Sequence, residues 1–206
     1  VFLSGGLDSR VVLAHLAKTG QQTHAITFGE TSSPDTKIAR RVAQTTLSPW
    51  TSFSLSKGNY LDIWERAYRA TDGQVNVRHI HGFEHFSEIS QLFQSLYSGL
   101  NGDGLMGSFL RRNVAGPNYT RSDLYRAFRL CSGIDSQVQH DGINRFGCSG
   151  KDDKSQVTGD WDRDCYRFYL QGRNSFGLNF SLGKAYSPFF RMRFPFLDTQ
   201  LVNYVT

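Results

Sequence analysis

Short apolar runs alternate with amphipathic stretches along the first half of the chain. Four runs have the length and apolar character of β-strands: the residues up to Leu3, 24–28, 51–55 and 95–98. Between these runs, apolar side chains recur every three or four residues, which predicts helices at 9–18, from Pro34 onward, at 60–70 and at 83–92. This order favours an α/β fold with a doubly wound parallel sheet, which binds ligands at the carboxyl ends of its strands.

The second predicted helix shows how local sequence sets a boundary. Ser33 can cap the helix with its hydroxyl oxygen, and Pro34 fits the first helical position because its ring fixes a helical φ. The following apolar spacing predicts a buried stripe of Ile38, Ala39, Val42 and Ala43.

The second half of the chain has a different composition, rich in Arg, Ser and aromatic residues. Helical patterns occur at 122–130 and 162–170, and the polar stretch 133–159 between them has the composition of a mobile loop. We therefore predict an α/β core over 1–112 and a mostly helical part over 113–206 of the same domain.

Composition narrows the class of protein. The chain has 206 residues, of which 39% are hydrophobic and 20% charged, which is typical of a soluble globular protein. No stretch is apolar enough for a membrane span and no signal peptide opens the chain, so we predict a cytoplasmic protein without a membrane partner. The net charge of +5, without a dense basic run, suits an anionic small ligand better than nucleic acid. Cys131, Cys148 and Cys165 are widely spaced, as expected of reduced thiols.

The stretch Ser4-Gly5-Gly6-Leu7-Asp8-Ser9 follows the first apolar run and precedes a predicted helix. Such a layout brings backbone N–H groups and the positive end of a helix onto an anion, as in a phosphate-binding loop. The loop lacks the lysine of the common P-loop, which argues against γ-phosphoryl transfer. A carboxylate at Asp8 fits beside phosphates when Mg²⁺ neutralises both. The alternative is an ordinary strand–turn–helix in which Asp8 only caps the helix.

The loop resembles the signature of the N-type ATP pyrophosphatases, and SGGLDSR resembles their asparagine synthetase-like branch. Two further stretches are similar to motifs of that branch and follow in the same order: SGLNGDGLMGSF (98–109) and RFPFLDTQLVNYV (193–205). In such enzymes a substrate carboxylate attacks the α-phosphorus of ATP, pyrophosphate leaves, and an amine or ammonia converts the acyl-adenylate to an amide.

The resemblance implies ATP and Mg²⁺ as cofactors and a small-molecule or peptide carboxylate as substrate. It also implies an amine or ammonia donor, which a glutaminase domain upstream of Val1 would supply. The first strand has only three residues, fewer than a central strand usually has, so we expect further chain before Val1.

The resemblance also implies site residues. Pyrophosphate contacts are implied for Ser4, Gly5, Gly6, Asp8 and Ser9, and adenine or ribose contacts for Leu3, Phe28, Ser98 and Gly99. Asp8 and Asp103 are the implied Mg²⁺ ligands, and with Lys184, near the position of a pyrophosphate-binding lysine, they form the implied catalytic set. Arg10 either adds positive charge beside the phosphates or is a solvated helix residue.

The second motif departs from the family pattern at two positions. Leu100 stands where the family has a glutamate that acts in amide formation, and Asp103-Gly104 stands where it has Asp-Glu. A leucine cannot accept a proton, so this chain is expected to adenylate an acid other than aspartate. The alternative is a catalytically silent nucleotide-binding or interaction module of the same fold. A nucleic-acid-modifying member is disfavoured, because paired cysteines and a basic aromatic face are missing.

Three histidines crowd one segment of the chain, His79, His81 and His85. Metal ligation is one interpretation, although the sequence offers no evident further ligand. The resemblance implies that this region borders the acceptor pocket, which favours polar lining or plain surface.

Overall fold

The structure is a computed structural model of the chain. It describes residues 1–55, 59–76, 79–107, 116–120, 123–124, 127, 157–169 and 180–205. The chain forms two compact units, one of Val1–Met106 with Asn174–Val205 and the other of Gly107–Arg173. The domain boundary predicted at residues 112 and 113 stays a prediction.

Helices and strands alternate through the first unit in the predicted order. The described α-helices of the chain are α1 (Leu7–Lys18), α2 (Pro34–Thr45), α3 (Asn59–Ala70), α4 (Phe86–Leu92), α5 (Gly102–Leu105), α6 (Trp161–Arg167), α7 (Phe180–Tyr186) and α8 (Thr199–Val205). The described strands are β1 (Ala25–Phe28), β2 (Trp50–Phe53), β3 (Ser95–Tyr97) and β4 (Arg191–Arg193). Single 3₁₀ turns span Phe83–His85 and Pro195–Leu197.

All strand pairs in the described residues are parallel. β1 pairs with β2, with Ile26 opposite Thr51, and β3 pairs with β4, with Leu96 opposite Met192. A mixed α/β fold with small parallel sheets is therefore confirmed.

The first residues of the chain join these two sheets. Phe2 forms parallel bridges to both Ile26 and Ser98. The N–H of Leu3 donates to the carbonyl of Ile26 at 2.7 Å, and the N–H of Phe2 donates to that of Tyr97 at 3.0 Å. Parallel strands have their carboxyl ends at the same edge. The residues that follow Leu3 and those that follow each of the four strands therefore lie along one edge of this arrangement.

Two apolar clusters form the core of the first unit. Ala25 and Ile26 are adjacent in β1 and are both buried, yet they belong to different clusters, as the alternation of side chains along a strand requires. Residues of α1 and α2 share the cluster of Ala25: Val12, Leu13, Leu16, Ala39 and Ala43. Residues of α3, α4 and α7 share the cluster of Ile26: Ile63, Ala67, Phe86, Ile89, Ala185 and Tyr186.

The predicted stripe of α2 was wrong at one position. Ser33 caps the helix as predicted, since its Oγ accepts from the N–H of Thr36. Ala39 and Ala43 are fully buried, but Ile38 is 39% exposed. The buried face follows Thr36, Ala39 and Ala43, at spacings of three and four, and Ile38 lies about 100° around the helix from Ala39.

Other element boundaries also differ from the predictions. α1 begins at Leu7 and not at Ser9, which places Asp8 in its first turn. β2 covers Trp50–Phe53 and ends before Leu55, and the helix predicted at 83–92 divides into a 3₁₀ turn and α4. Such shifts at element ends are expected, because apolar periodicity reports a buried face and not its ends.

The second unit is held at its described residues by a buried carboxylate. Asp164 accepts hydrogen bonds from the Tyr119 hydroxyl at 2.6 Å and from the N–H of Thr158 at 2.7 Å. Asp160 caps α6, accepting from the backbone N–H of Asp162 and Arg163. The predicted helix at 122–130 and loop at 133–159 fall mostly outside the described residues. Within the described ranges, the helices are too short or too polar to cross a membrane.

Candidate functional site

The glycine loop is folded onto the first turn of α1 by two serine hydroxyls. Ser9 Oγ accepts from the N–H of Ser4 at 3.0 Å and lies 3.0 Å from Ser4 Oγ. Ser4 Oγ in turn accepts from the N–H of Gly6 at 3.2 Å. Ser9 is buried and Ser4 is exposed, so the Ser9 hydroxyl stabilises the shape of the loop from the inside while Ser4 lies at its surface.

The glycines of the site lie where other backbone segments come too close for a side chain. A Cβ on Gly5 would lie 2.7 Å from Cα of Asp35, at the start of α2. A Cβ on Gly99 would lie 2.5 Å from the backbone nitrogen of Ser9. The strand end after β3 and the start of α2 therefore both pack against the loop, and only glycine permits this approach.

The two predicted metal ligands lie together although the chain separates them widely. The backbone N–H of Asp103 donates to Oδ2 of Asp8 at 3.0 Å. Gly102 packs against the same carboxylate, since a Cβ there would lie 2.5 Å from Cγ of Asp8. Oδ1 of Asp103 accepts from the N–H of Gly104 at 2.7 Å. Asp8 is half-buried and Asp103 is exposed, so this carboxylate pair is open to solvent on one side.

Positive charge also lies beside the loop. Nε of Arg10 donates to the carbonyl of Gly6 at 3.2 Å, which folds the guanidinium back toward the loop. The N-terminus of α1, a helix of 12 residues, adds its own partial positive charge there. Lys184 is exposed in α7, and its assignment to the pyrophosphate stays a prediction.

The residues predicted to contact the base and ribose lie at strand ends beside the loop. Leu3 is buried at the end of the first apolar run, and Phe28 is the half-buried last residue of β1. Ser98 follows β3, and its Oγ accepts from the N–H of Leu100 at 3.2 Å. Gly99 touches α1 directly. The structure thus brings the loop, Phe28, Ser98, Gly99 and Asp103 to one edge.

The sequence interpretation missed a buried hydrogen-bond chain beneath the loop. Thr27 Oγ1 donates to the carbonyl of Leu3 at 2.8 Å and accepts from Trp50 Nε1 at 2.9 Å. A threonine inside an otherwise apolar strand was the available signal, because a buried hydroxyl requires a partner. Asp35, which packs on Gly5, was also missed.

The histidine segment does not form a metal centre in the part of the chain that the structure describes, where no three His, Cys, Asp or Glu side chains are arranged to hold an ion. His85 instead packs against aromatic rings at the ends of β1 and β2. A cavity of about 790 Å³ lies at the opposite edge, where Val1, His24 and Ser95 line the amino ends of the strands. That cavity contains none of the predicted nucleotide residues.

A family model described as asparagine synthase matches residues 1–145, which include the glycine loop, Phe28 and both carboxylates. A search of curated proteins finds no match to the chain. Because the family match covers more than half of the residues, the chain belongs to the asparagine synthase family.

Proposed function

We propose that this chain is the synthetase domain of an ATP-dependent amide-forming ligase. The observation that supports it most is the hydrogen bond from the backbone N–H of Asp103 to the carboxylate of Asp8, which brings these two acidic residues together next to the glycine loop. In the proposed reaction a substrate carboxylate oxygen attacks the α-phosphorus, and the bond from the α-phosphorus to the bridging oxygen of the β-phosphate breaks. Pyrophosphate leaves with that electron pair. An amine then attacks the acyl carbon, the acyl–oxygen bond breaks, AMP leaves, and the nitrogen loses a proton.

The residues of the loop would bind and orient the leaving pyrophosphate. The N-terminus of α1 and the Arg10 guanidinium are the donor and cationic groups at this point, whereas the N–H of Gly6 is already bonded to Ser4 Oγ. Holding the reacting groups in line and stabilising the departing charge are the main contributions that a protein makes to such a transfer. We assign Lys184 the same role, as a further cation for pyrophosphate.

The carboxylate pair fits a hard divalent cation. Asp8 uses Oδ2 for the bond from Asp103, and a carboxylate has lone pairs beyond those that one hydrogen bond occupies. Mg²⁺ prefers one or two carboxylates together with phosphate oxygens, and when bound it would supply neutralising charge. Asp8 and Asp103 would hold it, while Gly102 leaves room for the Asp8 side chain.

The acid substrate is proposed to be other than aspartate. Leu100 belongs to the turn that carries Asp103. Its backbone N–H donates to Ser98 Oγ, and Gly102, two residues later, packs against Asp8. An apolar side chain there offers no proton acceptor for an incoming amine. The same residue favours the second candidate, a silent nucleotide-binding module.

We further propose that the strands form one doubly wound sheet, that the domain acts in the cytoplasm, and that a glutaminase domain supplies its ammonia.

Exchange of labelled pyrophosphate into ATP tests the proposal. The intact protein, with Mg²⁺ and a panel of carboxylic acids, is expected to catalyse exchange only with its own acid and to form AMP and pyrophosphate. ADP and orthophosphate as the main products would exclude the proposed bond cleavage. ATP binding without exchange for any acid in a broad panel would favour the silent module.

A further inference from the structure

Phe28 is enclosed by rings on the side away from solvent. Its ring centroid lies 5.2 Å from that of Phe2 in an edge contact and 6.0 Å from that of Phe53. Phe86, fully buried in the core, lies 6.2 Å away. The half-buried ring of Phe28 therefore joins the core to the edge where the strands end.

His85 stacks on Phe28 from a different element. The two ring centroids lie 6.4 Å apart at an interplanar angle of 15°, and His85 also contacts Phe53 at 4.8 Å. Nε2 of His85 lies 3.1 Å from the carbonyl oxygen of Ser54. A carbonyl only accepts, so Nε2 carries the hydrogen and the imidazole is oriented by Ser54, the residue that follows β2.

Glu84 reinforces this orientation. Its Oε1 lies 3.7 Å from Nε2 of His85, and within the described residues neither carboxylate oxygen has a hydrogen-bond partner. An inaccessible carboxylate without such a partner is costly, so its attraction for the Nε2–H group restrains both side chains. His81 adds a second imidazole, 5.9 Å from the ring of Phe28 in an edge contact.

The backbone of Gly82 also packs directly against the ring of Phe28. Its φ of +78° lies in the left-handed region, and a Cβ there would lie 2.7 Å from Cε1 of Phe28. Even an alanine at this position would collide with the ring. The segment 81–85 thus holds Phe28 by a backbone contact and by a stacked, hydrogen-bonded imidazole.

From this arrangement we propose that His85 and Gly82 are positioning residues that fix the Phe28 ring as a platform for the base of ATP. The inference rests on the proposed function, which places the nucleotide at this edge. His85 and Gly82 would act only on binding of the base of ATP, and not on binding of its phosphates. The glycine loop, which lies on α1 and contacts α2 and the turn after β3, has its own support. Loss of the platform therefore weakens binding of ATP but leaves binding of inorganic pyrophosphate nearly unchanged.

Calorimetric titration of the intact protein with ATP and with inorganic pyrophosphate, each with Mg²⁺, measures the two halves separately. His85→Ala is expected to weaken ATP binding about 3- to 10-fold, the size of one aromatic pair, and to change pyrophosphate binding less than about 2-fold. His85→Phe restores the ring and most of the ATP affinity. Gly82→Ala, which displaces the ring from the other side, gives the same selective loss.

His24→Ala is the matched control. His24 also contacts a phenylalanine, Phe93 at 4.9 Å, and its Nε2 lies 2.8 Å from Thr51 Oγ1, but it precedes β1 at the opposite edge. His24 precedes Phe28 by four residues along the strand, which corresponds to about 13 Å. Replacing His24 should therefore leave the affinities for ATP and for pyrophosphate unchanged.

Unchanged ATP affinity in both His85→Ala and Gly82→Ala overturns the inference, and so does an equal loss of both ligands, which marks a general structural role. If the wild-type protein binds neither ligand, the proposed function itself fails and this inference with it.

Discussion

The backbone N–H of Asp103 donates to the carboxylate of Asp8, 95 residues earlier in the chain, at 3.0 Å. This bond joins the first turn of α1 to the turn that begins α5. The carboxylate of Asp103 has its own backbone donor, the N–H of Gly104. Asparagine at either position can still accept these bonds through its amide oxygen, so charge and architecture can be separated by substitution.

Asp8→Asn and Asp103→Asn are each expected to weaken the Mg²⁺-dependent binding of ATP while melting close to the wild type. Loss of one charged ligand should weaken Mg²⁺-dependent binding about 10- to 100-fold, the equivalent of an interaction with a charged group. Asp8→Ala should in addition lower the melting temperature, because the N–H of Asp103 loses its acceptor. Calorimetry with Mg²⁺ and with a chelator, together with thermal unfolding, measures both effects.

Asp72→Asn is the control for this pair. Asp72 is an exposed carboxylate with a φ of 50°, a conformation that asparagine tolerates well. The Asp72→Asn protein should bind ATP with the same affinity and the same Mg²⁺ dependence as the wild type. Unaltered Mg²⁺-dependent binding in both site variants would show that the metal assignment is wrong.

Gly99→Ala tests the close packing of the strand end on α1. Its Cβ would lie 2.5 Å from the backbone nitrogen of Ser9, so the loop must shift. We expect a loss of about 1–3 kcal/mol in the free energy of unfolding, together with weaker ATP binding. Denaturant unfolding and calorimetry measure these two quantities.

Gly183→Ala is the matched control, because a Cβ on Gly183 would have no atom of the described residues within 4 Å and the residue lies in α7. Alanine there should stabilise the protein by up to about 1 kcal/mol, through helix propensity alone. Equal destabilisation by the two substitutions would contradict the packing argument.

Local patterns predicted the order of elements because each short segment must bury one face. The same logic placed Ser33 at the cap of α2 and the glycine loop before α1. It could not show that Phe2 bridges both Ile26 and Ser98, since strand neighbours depend on contacts across the whole chain. Ile38 was mispredicted because hydrophobicity alone does not show which face of a helix is covered.

The candidate site was predicted only as residues, and its assembly required the structure. Asp8 and Asp103 were paired through resemblance, whereas their hydrogen bond depends on the turn around Asn101, whose φ is 69°. Asp35 carried no motif that pointed to Gly5. Contacts of this kind arise when distant segments pack, so no local pattern records them.

Leu100 predicts that aspartate and ammonia are poor substrates. Assistance by a general base is typically worth about 10²–10⁴-fold, enough to hide asparagine formation without stopping adenylation. The intact protein should therefore form little asparagine while still exchanging pyrophosphate with another acid. Chromatographic detection of amide products measures this, and efficient asparagine synthesis would show that Leu100 does not exclude the reaction.

His81 predicts a dependence of stability on pH. Desolvation of the His81 imidazole, which lies edge-on to the ring of Phe28, lowers its pKa below the usual 6.5, although the nearby Glu84 carboxylate opposes this in part. The unfolded chain therefore binds a proton at a higher pH than the folded chain does. Stability should fall as the pH drops through 6.5 toward the folded pKa, because protonation favours the unfolded state there.

Replacing His81 with glutamine removes this proton uptake. His81→Gln should therefore flatten the fall in the free energy of unfolding between about pH 7.5 and about pH 5.5, measured by urea unfolding. An unchanged slope in His81→Gln would mean that other groups set the acid sensitivity.

Asp164→Ala should loosen the second unit selectively. The buried carboxylate accepts from the Tyr119 hydroxyl, from the N–H of Thr158 and from Thr158 Oγ1, and its loss leaves these donors without their acceptor. Each buried donor left without an acceptor costs about 1–3 kcal/mol.

The control is Asp162→Ala, at an exposed position of the same helix, which removes a carboxylate but leaves the acceptor of those donors in place. Hydrogen exchange should therefore accelerate at 116–120 and 157–169 in Asp164→Ala only, with β1 and α1 still protected. Equal acceleration in the two variants would mean that helix charge, and not the buried hydrogen bonds, stabilises this segment.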